Sequence, residues 1–186
     1  MAAGNDDCCS SKRTKPPPPP PPPPAGKDED EGEGEGTVAA DKALHALGFE
    51  FTRIDAREVA GRLPVTDTCC QPFGVLNGGV SALVAESTAS VGAYMASGYR
   101  RVAGVQLSVN HLRPARLGDV VRAQAAPVQL GRSIQVWEVQ IWRADPSTEE
   151  CKDLVSTARV TMLIKNPSTP EEMSTHEASI KKYAKL

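Results

Sequence analysis

Aromatic residues are scarce, only 4% of the chain, which excludes the stacking platforms on which single-stranded nucleic acids are read. No apolar run approaches the roughly 20 residues needed to cross a bilayer, and no signal-peptide core stands near the start. The five cysteines, Cys8, Cys9, Cys69, Cys70 and Cys151, form two adjacent pairs and a singlet. Neighbouring cysteines rarely bridge each other, so free thiols are expected rather than a disulfide framework. The three histidines, His45, His111 and His176, are scattered, and no Cys/His spacing resembles a metal site. Nor is there a strong charge of either sign. The formal charge is −2, too slight for a nucleic-acid surface.

What charge there is divides unevenly. Residues 1–36 carry four basic and eight acidic side chains, a formal −4, which leaves +2 on residues 37–186 from 17 basic and 15 acidic. The same stretch holds nine consecutive prolines, Pro16 to Pro24, followed by KDEDEGEGEG. Polyproline favours an extended rod, and the acidic Gly-Glu run has no apolar residue to bury. Residues 1–40 are therefore expected to be a disordered tail. They read as a low-complexity extension, with a ligand for a proline-binding module as the other reading. Residues 41–167 are expected to form one domain with its own core, and residues 168–186 a polar C-terminal tail. The final Ala184-Lys185-Leu186 has the small–basic–Leu form that the peroxisomal import receptor reads at a free C-terminus, and Lys181 and Lys182 precede it.

Between the tails the patterning predicts a short helix from Asp41 to Leu47, with Asp41 as its cap. Strands are predicted over Phe49–Ile54 and Glu58–Val65. A long helix beginning at Gly78 comes next. Four further strands follow over Val102–Leu112, Asp119–Val128, Ser133–Arg143 and Leu154–Ile164, rich in Val and Ile and bounded by Gly, Pro and Asp. One long helix followed by an antiparallel run of strands predicts an α+β fold; a helix wrapped by one curved sheet fits the order, and the periodicity alone also allows other α+β folds. Trp137 and Trp142, five residues apart on one strand, must point to opposite faces.

The residues that carry chemistry lie in QPFGVLNGGVSALVAESTAS, positions 71–90. A helix that starts at Gly78-Gly79 offers unpaired N–H groups and the positive end of a macrodipole, which is what a developing oxyanion needs. Two turns on stands one carboxylate, Glu86, able to serve as nucleophile or base. Leu76, Val80, Leu83, Val84, Val91, Tyr94 and Met95 fall largely on one side and should face a core. Glu86 shares another stripe with Gly79, Ala82, Ala89, Ser90 and Ala93, small residues expected to leave room for a substrate or a second chain. Ser90 stands at i+4, within reach of the carboxylate. A lone helical glutamate is more often a solvated surface group. The Gly pair, the small stripe and the serine partner bring acyl transfer level with that reading.

At these positions the chain resembles the hotdog-fold acyl-CoA thioesterases, in the branch that uses a helical Glu. The pattern is a Gln, then His-Gly-Gly, then Glu, then Ser or Thr one turn later. Gln71, Asn77-Gly78-Gly79, Glu86 and Ser90 stand at the matching spacings. The stretches CCQPFGVL, RVAGVQLSVNHL and IQVWEV and the terminal AKL are similar to the plant peroxisomal members that act on 1,4-dihydroxy-2-naphthoyl-CoA in phylloquinone synthesis. One position departs: the family's His is Asn77 here. Asn still donates a hydrogen bond but does not titrate near neutrality, and it is a preferred helix cap.

The resemblance implies a homodimer or homotetramer with substrate entering between subunits, and a peroxisomal location. It implies that Glu86 attacks the thioester carbonyl or activates water. The N–H of Gly78 or Gly79 would hold the carbonyl oxygen, Ser90 would bond the carboxylate or the water, and Gln71 would orient the thioester. No cofactor is implied, since CoA belongs to the substrate. Candidate CoA contacts are Asn110, His111 and Arg113 at the end of one strand and Arg132 and Ser133 at the start of another; each set also reads as ordinary strand-end or hairpin residues. The alternatives to a dihydroxynaphthoyl-CoA thioesterase are a broad aryl- or fatty-acyl-CoA thioesterase and a catalytically weak CoA-binding protein.

Overall fold

The structure, a computed structural model, describes residues 41–165 apart from 146 and 149. The expected tails, 1–40 and 168–186 with Ala184, Lys185 and Leu186, lie outside the described residues. Helix α1 spans Lys42–Ala46, and its first N–H groups are capped by the Asp41 carboxylate. Strands β1 (Glu50–Ile54) and β2 (Val59–Pro64) follow. A short 3-10 turn at Asp67–Cys69 leads into two-residue strands β3 (Cys70–Gln71) and β4 (Val75–Leu76). Then come the 19-residue helix α2 (Gly78–Ala96) and strands β5 (Val102–His111), β6 (Val120–Leu130), β7 (Ile134–Ala144) and β8 (Cys151–Ile164).

Six strands form one antiparallel sheet in the order β1-β2-β6-β7-β8-β5. It wraps α2, which touches β2 and all of β5 to β8. This is the hotdog arrangement. Among the described residues no helix is long and apolar enough to cross a membrane. The boundaries match the sequence reading closely, with two extensions. Strand β8 begins at Cys151, where a Lys152–Asp145 ion pair of 2.5 Å closes the turn after β7. The ammonium of Lys152 holds the Asp145 carboxyl well below the ordinary carboxylate range. Strand β6 continues to Leu130 because a bulge skips Val128: Pro127 stays opposite Trp137, and the ladder resumes with Gln129 opposite Val136.

The helix is buried differently from the one-sided pattern the sequence suggests. Ser81, Val84, Ala85, Ser87, Thr88, Ala89, Val91, Gly92, Ala93 and Tyr94 are all buried. Of the small stripe, Ala89 and Ala93 are buried, Ala82 and Ser90 are partly so, and Gly79 is exposed. Ala89 and Ala93 pack in the core with Trp137, Val160 and Met162. Gly92 accepts the Trp137 ring so closely that a Cβ would stand 2.5 Å from it. Trp137 is fully buried and its Nε1–H donates to Gln135 Oε1 at 3.0 Å, as a buried indole requires. Trp142 lies on the opposite face, half-buried. A sheet that encloses a helix on several sides needs small residues wherever a bulky strand residue presses in.

Candidate active site

Helix α2 starts where the sequence places it. Asn77 takes an extended conformation, and its Oδ1 accepts the Gly79 N–H at 2.7 Å. That is the N-cap bond. It removes Gly79 from the free donors and leaves the N–H of Gly78 at the helix start. A cavity of about 370 Å³ opens there, lined by Gln71, Gly78, Ser81, His111 and Arg113 among its polar groups, with Val75, Leu76 and Val155 among the apolar ones. The imidazole of His111 lies on Gly78, with Nε2 3.0 Å from where a Cβ would stand. Gln71 contributes to the wall while its Oε1 accepts the Phe73 N–H at 2.9 Å, bracing the β3–β4 turn.

Glu86 is elsewhere. It is half-buried in the middle of α2, and Ser90 Oγ donates to its Oε1 at 3.2 Å, the i, i+4 contact that helical spacing allows. The carboxylate rests on Gly104 of β5, where a Cβ would come within 2.8 Å of Oε1. A bulge between Gly104 and Gln106 makes this possible. Counting back from His111 by twos, the face of β5 that meets α2 carries Val109 and Leu107 and would next carry Val105. The extra residue reverses the alternation. Gly104 then pairs with the buried Met162 and faces the helix, while Val105 points out, 56% exposed.

Glu86 and the helix-start cavity thus meet β5 seven positions apart, on the order of 20 Å along a strand. The expected CoA contacts divide in the same way. Asn110, His111 and Arg113 lie at the His111 end of β5, with Asn110 on the face away from α2. The hairpin bearing Arg132 and Ser133 lies at the other end, because Ile134 and Ala103 both pair with Leu163. Its turn is tight: Gly131 N–H donates to Ile134 O at 2.9 Å, and Arg100 donates to Arg132 O at 3.1 Å. One chain therefore brings together Gln71, Gly78, His111 and Arg113, and separately Glu86 and Ser90.

Two features escape a sequence reading. The Gly104 contact needs the bulge and the pairing of β5 with β8, and no local signal marks either. The approach of His111 to Gly78 is likewise long-range. Among the described residues, the two cysteines next to the site, Cys69 and Cys70, are poor nucleophiles. Cys69 is buried, and burial, then the nearby Asp67, pushes the Cys70 thiol up, leaving it protonated near neutrality. Among the described residues no group of three His, Cys, Asp or Glu side chains is gathered to hold a metal ion.

The thioesterase superfamily model matches residues 73–150. The chain is 54% identical over 123 residues to 1,4-dihydroxy-2-naphthoyl-CoA thioesterase 2 of Arabidopsis thaliana, covering 66% of this chain and 78% of that one. It is 38% identical over 111 residues to 1,4-dihydroxy-2-naphthoyl-CoA hydrolase of Escherichia coli, covering 54% and 81%. Among solved structures, thioesterase HI1161 from Haemophilus influenzae superposes with a TM-score of 0.57 at 34% identity, covering 69% of this chain and 85% of that one. AziG of S. sahachiroi gives 0.62 at 32%, covering 68% and 98%.

Proposed function

Because the chain belongs to the thioesterase superfamily and is a hydrolase of acyl-CoA thioesters, we propose that its substrate is 1,4-dihydroxy-2-naphthoyl-CoA and that it serves phylloquinone synthesis in the peroxisome. The observation that carries the substrate is the 54% identity to the Arabidopsis protein of that name. The terminal Ala184-Lys185-Leu186 supports the location, as the segment for the import receptor.

In this reading Glu86 acts on the thioester carbon, as a nucleophile through a transient anhydride or as a base on water. Ser90 holds its carboxylate, the Gly78 N–H donates to the developing oxyanion, and Gln71 orients the thioester. Since Glu86 and Gly78 are far apart on one chain, the reading requires two copies. Strand β5 is an edge with Val105 56% and Leu107 37% exposed, an unprotected apolar edge of the kind that pairs with another strand. Antiparallel pairing of two β5 strands about a twofold axis near Leu107 and Ser108 sets Gly104 of one copy opposite His111 of the other. It also brings the Arg132 hairpin of one copy to the Asn110–Arg113 end of the other, so both sets of CoA contacts serve one site, with guanidinium groups for phosphates.

The test is hydrolysis of a panel of acyl-CoAs, followed by thiol release. Dihydroxynaphthoyl-CoA is expected to give the highest kcat/KM; a higher value for fatty acyl-CoAs would overturn the substrate. Single turnover in labelled water tests the anhydride route: label found in Glu86 establishes it, because direct attack of water on the thioester places label only in the acid product. A chain lacking its last three residues is expected to stay in the cytosol with normal activity in vitro; co-localisation with a peroxisomal marker would refute the address.

A further inference from the structure

We propose that His111 is a catalytic residue: its Nε2–H donates to the thioester carbonyl oxygen together with the Gly78 N–H, and Ser156 positions the ring. This rests on the reading of the chain as a thioesterase and assigns His111 a role at the reacting carbonyl rather than along CoA. Three observations carry it. The first is place. The ring lies on Gly78, with Nε2 3.0 Å from the position of a Cβ there, and both residues line the same cavity. A donor at that point and the first N–H of the helix converge on one acceptor, and charge that develops there is held by both.

The second is the absence of a competitor. Asn77 spends its Oδ1 on the helix cap. The other described histidine, His45, sits on the exposed side of α1. Among the described residues His111 is therefore the sole imidazole at the helix start. The third is an unused hydroxyl. Ser156 is 1% exposed, and its Oγ has no hydrogen-bond partner among the described residues. It is the cross-strand partner of His111, so the two side chains project from the same face with Cβ atoms about 5 Å apart. A buried hydroxyl without a partner is costly. That bond is not made in the structure; turning Ser156 Oγ onto Nδ1 as substrate binds would satisfy the hydroxyl and fix the neutral tautomer that carries its proton on Nε2. In that state the imidazole is an electrophile: it donates a hydrogen bond to the oxyanion and transfers no proton.

The experiment is kcat and KM for His111→Ala and His111→Gln on the best thioester of the panel, with thermal melts as a folding control. Gln places an amide N–H where Nε2–H stands. His111→Ala is expected to lose about 10²-fold or more in kcat with KM within roughly threefold, and His111→Gln to recover at least tenfold of that loss. Three results would overturn the proposal: kcat of His111→Ala close to wild type, a raised KM with kcat unchanged (the mark of a CoA contact), or His111→Gln no better than His111→Ala. Preference of the wild type for another acyl group would remove the substrate assignment alone, since the ratios still decide the role of His111.

Discussion

The Glu86 carboxylate lies on the backbone of Gly104, so closely that a single added methyl would stand 2.8 Å from Oε1. That contact joins the middle of α2 to the bulge in the edge strand, at the same carboxylate oxygen that accepts from Ser90. Gly104→Ala must displace the carboxylate or the strand. Since a misplacement of about 1 Å can cost 10²-fold, kcat is expected to fall by ten- to a hundredfold. Glu86→Gln is expected to remove about 10²-fold or more while the melt and oligomer stay unchanged. If Gly104 acts through Glu86, adding Gly104→Ala to Glu86→Gln lowers kcat little further. Full additivity in that double-mutant cycle would contradict the link.

Asn77 separates stability from chemistry. Asn77→Ala removes the 2.7 Å cap on Gly79 N–H and is expected to cost about 1 kcal/mol of stability, read by urea denaturation. Asn77→His keeps a polar group at the helix entrance and is expected to preserve or raise turnover. A sharp loss of rate in a folded Asn77→His protein would give Asn77 a role of its own.

Leu107 tests the need for two copies. A lysine at this position of the exposed edge sets two like charges against each other across the proposed twofold axis, which is destabilising. Leu107→Lys is expected to elute as a monomer and to lose at least tenfold in kcat/KM at dilute protein. A monomer with full activity would show that one chain holds a complete site.

Gly92 tests the packing of the helix against the sheet. Its Cβ would stand 2.5 Å from Trp137, a rigid ring buried on all sides. Gly92→Ala is therefore expected to destabilise by about 1–3 kcal/mol, although alanine is the better helix former. A raised melting temperature would mean that the ring has room to move.

Local signals carry most of this fold. Asp41, Asn77, Gly118 and Gly131 stand at element ends, where caps and turns need them, and the Val- and Ile-rich stretches between them become β5 to β8. Strands β3 and β4 carry no such signal, because two residues have no periodicity to read. Strand β6 runs two residues past its predicted end at Val128, because the bulge there lets the ladder resume at Gln129. At the site, the spacing from Gly78 to Glu86 and Ser90 is visible because it is helical arithmetic. What presses on those residues is not, because Gly104 and His111 reach α2 only through strand pairing, and the bulge changes which side chains face it.

The two tryptophans give the molecule an internal optical contrast. Trp137 is sealed between the sheet and Gly92 with its indole N–H bonded to Gln135, while Trp142 sits half-open on the other side of the same strand. Emission from the first is blue and sheltered from iodide, and emission from the second is redder and open to collisional quenching. Replacing Trp142 with Phe leaves a single-tryptophan protein whose indole emission maximum reports separation of the sheet from α2 and is blind to events on the outer face.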